Sequence, residues 1–286
     1  MSIGKTGNIT VKLPDGTDLD AKHQVTVIVT DHRKAPQQGK NVTVKGDLGQ
    51  SAAGKTDKNG ELTVPEVEQT ERHGVYIVGY TDGTFGPSRS MTRAEAAAIF
   101  ARLLAEKNGD TISTAANTKF ADIPAHAWYS GYVKYLSNNG ITYGKSKTIF
   151  APNDAITRAE FTTMAVRFFD VYGDGDAEIM EQFSGFNDVS SGYWAAKYIK
   201  YAALHGWING YGDGSFHAER EINRAEVVTI VNRLLGREAD EDYIADNLRK
   251  LNTFPDVSRK HWAYYAVMEA ANAHTAVLGE SESWSK

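Results

Sequence analysis

The sequence predicts a mixed, two-domain chain: a small N-terminal antiparallel β-sandwich over residues 1–73, then a mainly α-helical, repeated region over residues 74–286. Three observations lead there. The first 73 residues alternate apolar and polar side chains between clusters of turn residues. Beyond them the boxes "MTRAE", "ITRAE" and "INRAE" recur, with Arg93, Arg158 and Arg224 spaced 65 and then 66 residues apart. A second pattern, Phe-x-Asp followed by Trp, also occurs three times. A fixed period of this length marks an architecture of like units.

The β part rests on "ITVKL", "QVTVIVTD", "NVTVKG" and "ELTVP", each rich in Val and Thr at period two. Between them lie "LPDGTD" and "KTDKNGE", with the Gly, Asp, Asn and Pro that turns require. Short alternating strands of this kind suit a small sandwich. The stretch "GKTDKNGELTVP" resembles the closing strands of bacterial immunoglobulin-like or transthyretin-like repeats, which implies a spacer domain.

In the helical part, each box precedes an apolar run and reads as the first turn of a helix. Thr92 with Glu95, and Thr157 with Glu160, have the spacing of a capping box, and Asn223 with Glu226 is the same device. The arginine between them is out of place. A cation there opposes the helix dipole by about 0.3–1 kcal/mol. It either pairs with a fixed carboxylate of the protein or awaits an anionic ligand, for which the planar guanidinium fork is well shaped. Helix N-terminal amides add to such an anion site. A second arginine stands nine residues on, at Arg102, Arg167 and Arg233.

The second template reads "FADIPAHAW", "FNDVSSGYW" and "FPDVSRKHW", with Asp122, Asp188 and Asp256 each six residues before Trp128, Trp194 and Trp262. An amphipathic helix follows each Trp. Two of these helices meet a glycine twelve residues on, Gly140 and Gly206, suited to a left-handed cap; the third has His274 there. Each Asp either caps the next helix or hydrogen-bonds a ligand hydroxyl. Each Trp either fills the core or stacks on a ligand at a groove edge. A third element, "GYTDGTF" and "GYGDGSF", carries glycines for positive φ and offers Tyr80 and Tyr211 for stacking. The middle copy, "GKSKTIF", keeps Gly144 and Phe150 but has Lys145 and Lys147 instead of Tyr and Asp.

The repeat region opens with one kind of half and ends with the other. The last segment therefore completes the first unit, predicting a closed, pseudo-threefold arrangement. The units span about 74–119, 120–185 and 186–253, with 254–275 closing the first.

Composition excludes several functions. Net charge is −5 and pI near 5.9, so neither a nucleic-acid surface nor an anionic-membrane surface is expected. Without cysteine there is no disulfide scaffold, thiolate chemistry or cysteine metal site. No apolar run is long enough to span a membrane. The opening "MSIGKTGN" has no apolar signal stretch, as would also hold for an exported protein already without its signal. No arrangement of nucleophile, base and orienting group is legible, so no enzyme and no cofactor are expected. The segment "DVYGDGDAEIME" places Asp170, Asp174 and Glu181 as in a calcium loop, but Tyr172 occupies a ligand position, which favours an acidic inter-helix loop.

Taken together, "FxDV…W", "GYxDGxF" and the R-A-E boxes resemble the S-layer homology (SLH) family over residues 75–275. The resemblance implies a three-pronged fold on a central helix bundle. It also implies an extracellular module that anchors surface proteins to the bacterial cell wall without a covalent bond. The implied partner is an anionic secondary cell-wall polysaccharide, often ending in pyruvylated N-acetylmannosamine, or a modified peptidoglycan. Binding would lie in grooves between units, with Arg93, Arg158 and Arg224 as central contacts, and replacing them is expected to weaken wall binding and spare the fold. The alternative is a module for protein–protein assembly in a surface lattice, or an anchor fragment of a larger surface enzyme.

Overall fold

Period-two alternation becomes strands where it was expected. A computed structural model describes residues 7–12, 25–31, 34–45, 51–64, 69–172, 185–278 and 283–285. The chain divides into two compact units, Met1–His73 with His274–Lys286, and Gly74–Ala273.

In the first unit, β1 (Gly7–Lys12), β2 (Val25–Asp31) and β5 (Glu61–Val64) form an antiparallel sheet in the order β1-β2-β5. A second pair joins β3 (Asn41–Lys45) to β4 (Ser51–Lys55). The "TDKNGE" turn thus carries the chain from one sheet to the other. Asp57 Oδ1 shapes it, accepting from Asn59 N at 2.8 Å and Glu61 N at 2.9 Å. A third sheet joins β6 (Gln69–His73), β7 (His274–Leu278) and β8 (Ser283–Ser285), all antiparallel. Residues beyond 273, counted with the helical region from sequence, therefore pair with β6. The cause is local: the helix before β7 lacks the terminal glycine, and Asn272 turns extended, with φ −127° and ψ 120°.

The second unit contains α1 (Arg93–Asn108), α2 (Ser130–Asn138), α3 (Arg158–Tyr172), α4 (Ala196–Leu204), α5 (Arg224–Leu235), the short α6 (Glu241–Asn247) and α7 (Tyr264–Ala271). α1 packs on α2, α3 on α4 and α5 on α7, while α3 also touches both α1 and α5. Phe100 lies between Phe161 and Phe168 at ring distances of 5.3 and 5.0 Å, and all three are fully buried. α2 and α4 end where the left-handed cap was expected, with φ of 74° at Gly140 and 70° at Gly206. No helix among the described residues is long and apolar enough to cross a membrane.

The three R-A-E helices begin at one place. Met91 N donates to Ile222 O at 2.9 Å, Ile222 N to Ile156 O at 3.0 Å, and Ile156 N to Met91 O at 2.9 Å, a closed cycle of three buried residues. The next amides continue it: Arg93 N bonds Asp154 O, Arg158 N bonds Arg220 O, and Arg224 N bonds Arg89 O, at 2.8–3.0 Å. The first N–H groups of a helix have no partner within it; here carbonyls from another copy supply one.

The Phe-x-Asp segments tie the copies together. Asp122 accepts from Phe150 N at 2.9 Å and Ala151 N at 2.7 Å. Asp188 accepts from Phe216 N and His217 N, both at 2.7 Å. Asp256 reaches back across the chain to Phe85 N at 2.8 Å and Gly86 N at 2.7 Å. The last segment thus meets the first GYxDGxF turn, although α7 itself packs on α5. These carboxylates cap no helix: α2, α4 and α7 have no side-chain cap.

Candidate functional site

Each predicted arginine is a buried residue, 4% exposed at Arg93, 5% at Arg158 and 4% at Arg224. All three are held alike. The Nε donates to the carbonyl of an aromatic residue: Phe150 for Arg93 at 2.8 Å, Phe216 for Arg158 at 2.9 Å and Phe85 for Arg224 at 2.8 Å. The guanidinium carbon lies over the same ring, at 5.0, 4.5 and 4.7 Å respectively. Nη1 faces a glutamate from the next box: Arg93 Nη1–Glu160 Oε1 at 2.9 Å, Arg158 Nη1–Glu226 Oε1 at 3.0 Å, and Arg224 Nη1–Glu95 Oε1 at 3.8 Å, while Nη2 of Arg158 and Arg224 donates to Asn209 O and Val78 O.

The glutamates therefore do two jobs that sequence spacing had reduced to one. Oε2 closes the capping box on its own helix, accepting from Thr92 N at 2.8 Å, Thr157 N at 3.1 Å and Asn223 N at 3.0 Å. Oε1 receives the neighbouring arginine. The misplaced cation is explained: it sits at the helix start because a carboxylate of another copy stands opposite. Burial pushes the Arg158 and Arg224 guanidinium groups below their ordinary value, opposed by Tyr211 and Glu226, and by Tyr80 and Glu95. Guanidinium stays charged at neutral pH. Such burial predicts that alanine at these positions destabilises the helical unit, where the sequence alone suggested an intact fold.

The aromatic side chains differ in placement. Trp128, Trp194 and Trp262 are 54, 53 and 64% exposed, so the core reading fails for them, while Phe85, Phe150 and Phe216 are fully buried. Tyr80 lies between two guanidiniums, Arg224 at 4.7 Å and Arg89 at 4.4 Å. Tyr211 lies likewise near Arg158 at 5.3 Å and Arg220 at 5.6 Å. In the middle copy the same two positions hold Lys145 and Asp154, which form an ion pair at 2.5 Å. The sequence shows Lys145 as a departure; the compensating Asp154, four residues before Arg158, is visible only in space.

The glycines before these tyrosines are needed for room rather than for φ. A Cβ at Gly79 would lie 2.5 Å from Phe254 Cε1 and 2.8 Å from Thr84 O; at Gly210, 2.4 Å from Phe186 Cε1 and 2.7 Å from Ser215 O. Positive φ belongs to the second glycines, 82° at Gly83 and 80° at Gly214.

Beside Arg224 is a cavity of about 210 Å³, lined among others by Tyr80, Glu95, Arg102, Trp128 and Arg224. It gathers one member of each predicted class except the aspartates. Asp256 instead holds the turn behind it. Burial raises the Asp170 carboxyl, against Lys197 and Arg167. Asp174 and Glu181, the other calcium-loop positions, lie outside the described residues.

A helical unit built of three like segments, with internal arginines, defines a repeat module that presents a small, largely apolar and aromatic cleft with a few charged groups in it. The family model of the S-layer homology domain matches residues 63–97, 119–162 and 185–228, and the chain belongs to that family. It is 30% identical over 233 residues to the "Cellulosome-anchoring protein" of Acetivibrio thermocellus, covering 81% of this chain and 49% of that protein. It is 34% identical over 218 residues to "Cell surface glycoprotein 1" of the same organism, covering 73% of this chain and 9% of that protein. A segment is 33% identical over 159 residues to "Exoglucanase XynX" of Acetivibrio thermocellus, 56% of this chain and 14% of that protein. The chain thus spans about half or less of these curated relatives.

Proposed function

We propose that the chain is a noncatalytic anchor that holds a surface protein to the bacterial cell wall by binding an anionic, pyruvylated secondary wall polysaccharide. The observation that carries this reading is the cavity beside Arg224. It brings two arginines, one glutamate, an exposed indole and a tyrosine around about 210 Å³, below the roughly 300–1,000 Å³ of a drug-sized pocket. Such a cleft suits one terminal sugar with one carboxylate, not a length of chain. The matching faces at Arg93 and Arg158, with Trp194 and Trp262, give the pseudo-threefold module two further grooves around a three-helix centre. Asp122, Asp188 and Asp256 fix the groove walls. The β part serves as an extracellular immunoglobulin-like spacer. The relatives' names, an anchoring protein and a surface glycoprotein, support this placement.

A second reading has an observation of its own. The arginines are already paired internally, as a lattice-assembly module would have them. Co-sedimentation separates the two. The chain pellets with protein-free walls that retain their polysaccharide and stays soluble with walls stripped of it. Pelleting with neither, together with self-assembly into sheets, would replace wall anchoring by lattice formation.

A further inference from the structure

The second arginine of each repeat has gone without a role, and the three copies treat it differently. Arg167 is covered: Tyr143 lies 4.7 Å from its guanidinium carbon and Tyr198 5.0 Å, while Tyr198 Oη accepts from Nε at 3.3 Å and Nη2 at 3.1 Å. Arg233 is tied: with the Asn209 amide oriented to satisfy both ends, Oδ1 accepts from Arg233 Nη1 at 3.3 Å. Arg102 has neither. Among the described residues its side chain forms no hydrogen bond or ion pair, only a ring contact with Tyr132 at 5.1 Å. Two positions differ: Tyr132, the counterpart of Tyr198, meets Arg102 only through its ring, and the residue just before the first glycine of the turn is Tyr143 or Asn209 in two copies but Val78 in the first. Valine has no polar group to offer a guanidinium. Val78 is 61% exposed, and both it and Arg102 line the 210 Å³ cavity.

Charge sets Arg102 apart from its neighbour in the cleft. Arg224 donates to Phe85 O, and to Val78 O at 2.7 Å, and faces Glu95. The cavity therefore holds two cations and one anion, and the excess charge belongs to Arg102. We infer that Arg102 is the counter-ion for the ligand's carboxylate in this groove, and that the residue at position 78 decides whether that arginine is free. The R-A-E arginine frames the cleft; the second arginine supplies its charge. This makes the Arg224 groove the strongest of the three, because Tyr143 and Asn209 occupy the matching cations elsewhere. The inference rests on the reading of the groove as a glycan site.

The test is calorimetric titration of the full chain with the methyl glycoside of pyruvylated N-acetylmannosamine, at two salt concentrations. Loss of a charge-assisted hydrogen bond corresponds to about 10–100-fold in affinity. Arg102→Gln is expected to lose that much and most of the salt dependence, while Arg102→Lys keeps the salt dependence. Val78→Tyr, on an exposed site that does not endanger folding, is expected to weaken binding similarly, with no further loss in the double variant with Arg102→Gln. Arg167→Gln and Arg233→Gln stay within about twofold of wild type, far below the range for a lost charged contact. Wild-type binding with unchanged affinity in Arg102→Gln and Val78→Tyr overturns this inference alone. Equal losses in Arg167→Gln and Arg102→Gln also overturn it. No binding by the wild type removes the glycan reading together with this inference.

Discussion

Replacing Arg93 by alanine tests whether the R-A-E arginines hold the helical unit together. The side chain is 5% exposed, and it satisfies Phe150 O at 2.8 Å and Glu160 Oε1 at 2.9 Å. Alanine removes both bonds and the contact with the Phe150 ring. Breaking a buried pair by removing one partner costs about 3–5 kcal/mol. Glu160 is 21% exposed and keeps its capping bond to Thr157 N, so part of its charge is still met. The expected loss is therefore about 2–4 kcal/mol, somewhat below that range. For a unit of this size, about 2–4 °C per kcal/mol puts the drop in Tm at roughly 5–15 °C. Urea denaturation followed by tryptophan fluorescence measures the loss of stability, with Glu160→Gln and Arg93→Ala/Glu160→Gln closing a double-mutant cycle. A variant within about 0.5 kcal/mol of wild type, the ordinary range of surface changes, would refute the structural role.

Other contacts give three further expected outcomes. Gly210→Ala should cost about 1–3 kcal/mol by urea denaturation, because its Cβ would meet Ser215 O at 2.7 Å and the Phe186 ring at 2.4 Å. Trp194→Ala should cost less than about 1 kcal/mol, since the indole is 53% exposed; a larger loss would place it in the core after all. Burial alone would raise the Asp188 carboxyl, but the amides of Phe216 and His217 and its own amide, with His217, bring it below its ordinary value. Its stabilisation is therefore complete above the unfolded value of about 4 and fades as pH falls through the lower folded value. Asp188→Asn should flatten the acid limb of the stability profile, and an unchanged limb would contradict the assignment.

Much of the fold was readable from residues alone, and the misses share a cause. The capping boxes, the glycine helix ends and the repeat were legible because each is a local pattern. The destination of a carboxylate is not local. Asp122, Asp188 and Asp256 bond amides 28 or more residues away, so a cap on the next helix was the nearest wrong answer. Glu95, Glu160 and Glu226 looked complete as caps because spacing says nothing of a second oxygen. Trp128, Trp194 and Trp262 looked like core because an apolar side chain beside an amphipathic helix usually is. The Lys145–Asp154 pair replaces a Tyr–Arg contact across nine residues, and only side by side do the two substitutions explain each other.

The most direct test of wall anchoring is titration of the chain with purified wall polysaccharide before and after hydrolysis of its pyruvate ketals. Loss of one charged contact predicts affinity about 10–100-fold weaker for the hydrolysed polymer. Equal affinity for both forms would contradict recognition through a carboxylate.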